Sequence, residues 1–353
     1  MDRSLWDIAI EQASRSKGNE NSLSESEEST VILVGSKNSG KTSILLRYAD
    51  RDEPPKPTVA LEYTHAKKPK GVTIAKDVGH IWELGGGTWL TKLIDIPINP
   101  NILLNTTLIL VLDLSAPAEL WTTMETLLKA AESRVKEAIR EAQAVDPQIE
   151  KKLKKKAMER VGEDHPDKDE LRPFLLPLVI IGSKYDIFQD FDSEKRKNIC
   201  KTLRYVAHVY GATLQFFSIK HDQLVTKLKS LLTYCLFNKD FSKANQVDHN
   251  KPIFVYPGQD TKKQIGPPPL SESDIGKYKP EDTISLWKNA FTKLFPQTSV
   301  NNPAAIDDPG KDPQYAEPDI DTLRTQKDEE LERYRKLAER KARDVEQNGY
   351  IIA

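Results

Sequence analysis

Gly35-Ser36-Lys37-Asn38-Ser39-Gly40-Lys41-Thr42 lies between the β-branched run Thr30-Val31-Ile32-Leu33-Val34 and an apolar stretch from Ile44 to Tyr48. The octet satisfies G-x-x-x-x-G-K-[ST], and a strand before it with a helix after it is the context in which that pattern holds phosphate. Glycines let the chain turn tightly enough for backbone N–H groups to surround phosphate oxygens. They do so at a helix N-terminus, where the peptide dipoles leave positive charge. Lys41 is placed to reach the β- and γ-phosphates, and the Thr42 hydroxyl to ligate magnesium. The competing reading is a chance Gly/Ser turn, which the flanking strand and helix disfavour.

Outward from this loop, between Thr30 and about residue 240, short apolar runs alternate with helical patterns, the signature of an α/β unit. Six strands are expected: Thr30 to Val34, Val59 to Ala66, Val72 to Leu84, Thr106 to Asp113, Leu178 to Gly182 and Thr213 to Ser218. Lys67-Lys68-Pro69-Lys70-Gly71 is too short for a helical crossover, so the second and third strands pair antiparallel and the sheet is mixed. A helical insertion occupies about 117–172. Its first half repeats Leu120, Met124, Leu127, Leu128, Ala131, Val135, Ala138, Ile139 and Ala142 at three- and four-residue spacing, which buries one face. The basic run Lys151 to Arg160, balanced by Glu163 to Glu170, reads as a solvated loop.

Residues 1–29 form a leading arm: Ser4 and Asp7 can cap a short helix bearing Leu5, Trp6 and Ile8, followed by a Ser/Glu-rich linker from Ser16 to Ser29. Residues 241–353 form a trailing arm. Half of the chain's 22 prolines fall between Pro252 and Pro318, so this arm is extended and interrupted by two helices. The first carries Ile284, Trp287, Phe291 and Leu294 on one side, packed back on the central domain. The second starts at Pro318 and carries Leu331, Tyr334, Leu337, Ala338, Ala342 and Val345 amid charges, a thin stripe that suits a partner or a frayed end.

Among the 353 residues, Lys+Arg 52 against Asp+Glu 53 leaves a net charge of −1, so no global basic field exists to hold nucleic acid or an anionic membrane. No apolar run approaches the ~20 residues of a membrane helix, and no secretory signal pattern opens the chain. These features point to a soluble intracellular protein without a transmembrane segment. Cys200 and Cys235 lack partners at metal-ligand spacing and fit a reducing compartment. His65, His80 and His208 read as strand or helix residues rather than ligands.

Four further segments resemble the Ras-like GTPases. Thr58-Val59-Ala60-Leu61-Glu62-Tyr63 is similar to their first switch, and Glu83-Leu84-Gly85-Gly86 stands where they carry D-x-x-G. Ser183-Lys184-Tyr185-Asp186 stands in place of N-K-x-D, and Ser218-Ile219-Lys220 in place of S-A-K. The resemblance implies a Ras-like P-loop G domain in which Asp186 reads the guanine edge and Lys184 packs on the base. Ser218 and Lys220 complete the base loop, and Thr42 with Thr58 meets magnesium. Three departures matter. Gly87 occupies the place of the glutamine that orients attacking water, Glu83 replaces an aspartate, and Ser183 replaces the asparagine that ties the base loop to the phosphate loop. The expectation is a domain that holds GDP or GTP with magnesium without switching, or stands empty. Two rivals are a regulatory GTPase that switches partners through Thr58 and the Glu83 loop, and an ATP-using P-loop enzyme in which Asp113 serves as the strand-end acid.

Val31-Ile32-Leu33-Val34-Gly35, Leu61-Glu62-Tyr63, Ile81-Trp82-Glu83-Leu84-Gly85 and Val179-Ile180-Ile181-Gly182-Ser183-Lys184-Tyr185-Asp186, with the two arms, resemble the dynein light intermediate chain family over nearly the whole chain. The chain ends about fifty residues after the Trp287 helix, without the long adaptor-binding tail of the first cytoplasmic dynein's members. That is the pattern of the members serving cytoplasmic dynein 2. The resemblance implies a non-catalytic subunit bound to the cytoplasmic dynein 2 heavy chain, together with the intermediate and light chains. It implies a role in retrograde intraflagellar transport, in cilium, axoneme, basal body and centrosome.

Overall fold

Strand β1 (Ser29–Gly35) is buried from Thr30 onward, and its alternating side chains serve two opposite cores. In the computed structural model, which describes residues 28–69, 76–239, 244–269, 283–298 and 317–348, β1 lies between two parallel neighbours. These are β3 (Lys76–Leu84) and β4 (Thr106–Asp113). Beyond β3 the antiparallel β2 (Leu61–Pro69) forms one edge. Beyond β4 run β5 (Leu178–Ser183) and β6 (Thr213–Phe216), both parallel. The order is β2-β3-β1-β4-β5-β6-β7, a mixed sheet of seven strands.

Sequence patterning gives six of these strands. The seventh, β7 (Phe254–Val255), is two residues long and pairs antiparallel with β6. So short a pairing has no periodicity to detect, and it lies in the proline-rich arm. The second strand begins at Leu61, two residues later than Val59, and runs on to Pro69.

One face of the sheet presents Ile32, Val34, Leu108, Leu110, Leu112, Ile180 and Leu214; the other presents Val31, Leu33, Ile109, Val111, Val179 and Ile181. Helices α1 (Lys41–Tyr48) and, later in the chain, α6 (Asp222–Phe237) cover the second face through Ile44, Leu228, Leu231, Leu232 and Leu236. The first face is covered by α2 (Pro117–Ala142) and α5 (Ser193–Val209). All nine apolar positions of the insertion stripe, Leu120 to Ala142, are buried.

The basic run is a helix rather than a loop: α3 (Ile149–Val161) buries Ile149, Leu153, Ala157 and Val161 and leaves its lysines exposed. Its lysines pair with Asp146, Glu150 and Glu159, whereas Asp167 and Glu170 of the acidic stretch pair with His208 and Lys262. Arg160 is held by the carbonyls of Phe174 and Leu176, and burial pushes its pKa down to about 10. After the one-turn α4 (Tyr185–Phe188) and the short α7 (Lys262–Ile265), helix α8 (Thr283–Leu294) packs against α5 and α2, the helices that cover the first face. Its Trp287 stacks on Tyr205 with ring centroids 4.4 Å apart, and Phe291 is fully buried beside Trp121. Gln297 reaches the start of α2, accepting from the Trp121 and Thr122 N–H groups and donating to the Pro117 carbonyl.

The chain divides into two units, the first through Val300 and the second from Asn301. Within the second, helix α9 (Pro318–Asn348) is described. The expected leading helix with Leu5, Trp6 and Ile8 lies outside the described residues, as does most of its linker.

Candidate nucleotide site

The phosphate loop joins β1 to α1, and its shape is set by two residues with left-handed backbone, Asn38 at φ 61° and Gly40 at φ 91°. Gly35 lies so close to β4 that a Cβ there would sit 2.3 Å from the Val111 carbonyl oxygen. No side chain caps the N-terminus of α1. The free N–H groups that begin any α-helix are thus left to an anion. Lys41 is buried; its Nζ donates to the carbonyls of Gly35 (3.2 Å) and Ser36 (2.9 Å). Burial pushes its pKa down to about 8, against the opposing pull of the Glu83 carboxylate. Ser36, Lys37 and Ser39 complete the loop; Ser39 Oγ is buried without a hydrogen-bond partner.

Thr42, Thr58 and Glu83 converge beside Lys41. The Thr42 hydroxyl donates to Glu83 Oε1 at 2.7 Å and lies 3.4 Å from the Thr58 hydroxyl. Burial pushes the Glu83 carboxyl up, and the hydrogen bond from Thr42 and the charge on Lys41 oppose that rise. An uncapped helix N-terminus, a buried ammonium and three clustered oxygens suit a polyphosphate and a hard divalent cation. In such a complex Thr42 and Thr58 would ligate the metal, and the loop N–H groups with Lys41 would hold the phosphates.

The two switch-like segments are joined through their backbones. The Gly85 N–H donates to the Ala60 carbonyl at 2.6 Å, and a Cβ on Gly85 would lie 2.3 Å from the Thr58 carbonyl oxygen. Gly87 has φ 60° and approaches the phosphate loop so closely that a Cβ would lie 3.0 Å from the Lys37 nitrogen. Glycine here is a steric requirement as well as a missing glutamine. These backbone contacts leave no trace in residue identity, so a sequence reading misses them.

At the base end, Asp186 accepts from the Ser218 hydroxyl (2.8 Å) and pairs with Lys220 Nζ (2.8 Å). Burial raises the Asp186 pKa, but the bonds from Lys220 and Ser218 outweigh it and hold the carboxyl below the usual range. Lys184, at φ 55°, turns its ammonium to Asp113 Oδ2 at 2.6 Å, leaving its hydrocarbon stem for a base. Asp113, the strand-end acid of the ATPase rival, is thereby engaged by Lys184 and by the Ser115 hydroxyl. Ser183 Oγ donates to the Leu112 carbonyl, so that side chain ties β5 to β4 rather than to the phosphate loop.

Elsewhere the structure assembles a polar cluster from distant segments. His165 Nε2 meets the Asp260 carbonyl oxygen, its Nδ1 accepts from the Asp167 N–H, and His208 pairs with Asp167 at 3.0 Å. Three such side chains can attract a metal, but both His165 nitrogens already have protein partners. His65 and His80 lie on β2 and β3, and His208 on α5. Burial pushes the thiols of Cys200 and Cys235 up to about 12, which leaves them unreactive. A cleft of about 860 Å³ lined by Arg160, Tyr234, Cys235 and Tyr256 is bordered by no residue of the phosphate loop. Among the described residues no helix is long and apolar enough to cross a membrane.

Strand order, phosphate loop and base loop together define a Ras-like P-loop domain. The family model for dynein light intermediate chains matches residues 2–174 and 175–286. The chain is 48% identical over 344 residues to cytoplasmic dynein 2 light intermediate chain 1 of Bos taurus, covering 97% of this chain and 98% of the relative. It is 44% identical over 341 residues to the protein of that name from Danio rerio, covering 94% of each. The chain belongs to the dynein light intermediate chain family. A crystal structure of the dynein light intermediate chain's conserved domain shares the fold, with TM-score 0.55 and 17% identity over 74% of this chain and 97% of that one.

Proposed function

We propose that this chain is a non-catalytic subunit of cytoplasmic dynein 2. It docks on the heavy chain and stabilises it, beside the intermediate and light chains, during minus-end-directed retrograde intraflagellar transport. Its places of action are the cytoplasmic cytoskeleton, the cilium with its axoneme and basal body, and the centrosome. The observation that carries this reading is similarity from end to end, arms included, to relatives bearing the name of that subunit.

The site supports a scaffold rather than a switch. Gly87 cannot orient water, and the two switch-like segments hold each other through the Gly85 N–H and the Ala60 carbonyl. GDP or GTP with magnesium, held by Gly35 to Thr42, Thr58 and the base loop, would serve as a structural ligand. Co-expression with the dynein 2 heavy chain tail, followed by affinity capture, tests the reading. Co-elution that persists in Lys41→Ala is the expected result. Separate elution of the two chains overturns docking, and capture that requires GTP favours the switching rival.

A further inference from the structure

Helix α9 carries an apolar stripe that no described residue of its own unit covers. Ile320, Leu323, Leu331, Tyr334 and Leu337 are each more than half exposed. With Lys327 and Ala338 the stripe runs 320, 323, 327, 331, 334, 338, in steps of three and four. Positions 320, 323 and 327 recur eleven residues later as 331, 334 and 338. Eleven residues in three turns is close to the period of a straight helix, so the stripe stays on one side. Read backwards, it is nearly the same stripe: 320 exchanges with 338, 323 with 334, and 327 with 331.

The charges have the matching antisymmetry. From Pro318 to Glu330 there are five acids against two bases, a net −3; from Leu331 to Lys341 there are five bases against two acids, a net +3. Beside a second copy running the opposite way, each acidic half meets a basic half. A parallel copy would set like halves together.

We propose that α9 pairs antiparallel with α9 of a second copy of this chain, forming a two-fold symmetric homodimer contact. The layers are Ile320 with Ala338, Leu323 with Tyr334 and Lys327 with Leu331, each formed twice. The lysine stem covers apolar surface while its ammonium reaches solvent. On one flank this register sets Asp321 opposite Arg335 and Arg324 opposite Glu332, again each twice. Asp328 faces its own copy at the axis and opposes the contact. The ion pairs seen within α9, such as Lys336 with Glu332 and Arg335 with Glu339, are exposed and compete weakly. The overlap is about 36 Å long, at 1.5 Å per residue.

The test uses the full chain in analytical ultracentrifugation across a concentration series. Wild type is expected to move from 40.0 kDa toward twice that mass as concentration rises through the micromolar range, and to dissociate as salt screens the flanking pairs. The double variant Asp321→Arg/Arg324→Glu sets like charges opposite each other and is expected to be monomeric, as is Glu332→Arg/Arg335→Asp. Mixed together, they restore every opposite-charge pair on that flank, and a heterodimer is expected. A wild type that stays monomeric to 100 μM overturns the proposal and leaves the stripe to a different chain. Variants that remain dimeric alone, or fail to combine, overturn the antiparallel register. Recovery on mixing also shows that both variants are folded.

Discussion

Lys41 and Glu83 show how a buried charge burdens the folded chain even with an opposite charge beside it. Both are buried; Lys41 is held near a pKa of 8 because burial penalises its charge, and Glu83 relieves part of that penalty. In the unfolded chain the ammonium keeps its ordinary value of 10.5. Between pH 8 and 10.5 the unfolded state therefore binds more protons, and stability rises with pH. Below pH 8 the burden is constant. Urea titrations of nucleotide-free protein should show the stability of wild type relative to Lys41→Met climbing through that window; a flat difference would mean that Lys41 is solvated. The turn between β1 and α1 was legible because its glycines and their spacing set its backbone. Gly87's approach to Lys37 was not, because a glycine's letter does not say which backbone it touches.

Helix α8 is the element on which the trailing arm turns inward. Its stripe of Ile284, Trp287, Phe291 and Leu294 was readable as helical, and the structure buries its middle: Trp287 on Tyr205, Phe291 beside Trp121. Leu294 remains exposed. Phe291→Ala would leave a cavity in the first core and should lower stability by about 3–5 kcal/mol. Urea unfolding measures this, and a loss below 1 kcal/mol would mean that α8 is only loosely attached. The chain just before α7 is fixed by a buried ion pair in which Arg204 Nε and Nη2 donate to the two oxygens of Asp260, each at 2.7 Å. Fifty-six positions separate these residues, and the two-residue β7 lies between them. Neither feature has a local pattern, so tertiary contact alone reveals them.

At the scale of the whole molecule, alternation of strands and helices carried the fold class, because each central strand, β1, β4 and β5, feeds both faces of the sheet and is apolar nearly throughout. The arms were less readable, since proline content marks extended chain without saying where it lies. What unites the molecule is a nucleotide-type loop whose surroundings are fastened by protein contacts: Glu83 by Thr42, Gly85 by Ala60, Lys184 by Asp113. The central claim is that this domain is a scaffold that does not cycle. Its most direct test is GTP turnover by the purified chain, wild type and Gly87→Gln, with any nucleotide released on denaturation identified by chromatography. The account predicts turnover no faster than the magnesium–GTP blank in both. A glutamine at φ 60° would strain the backbone by about 1–2 kcal/mol rather than restore a catalytic geometry. Turnover by the wild type clearly above that blank would contradict the account and identify a working GTPase.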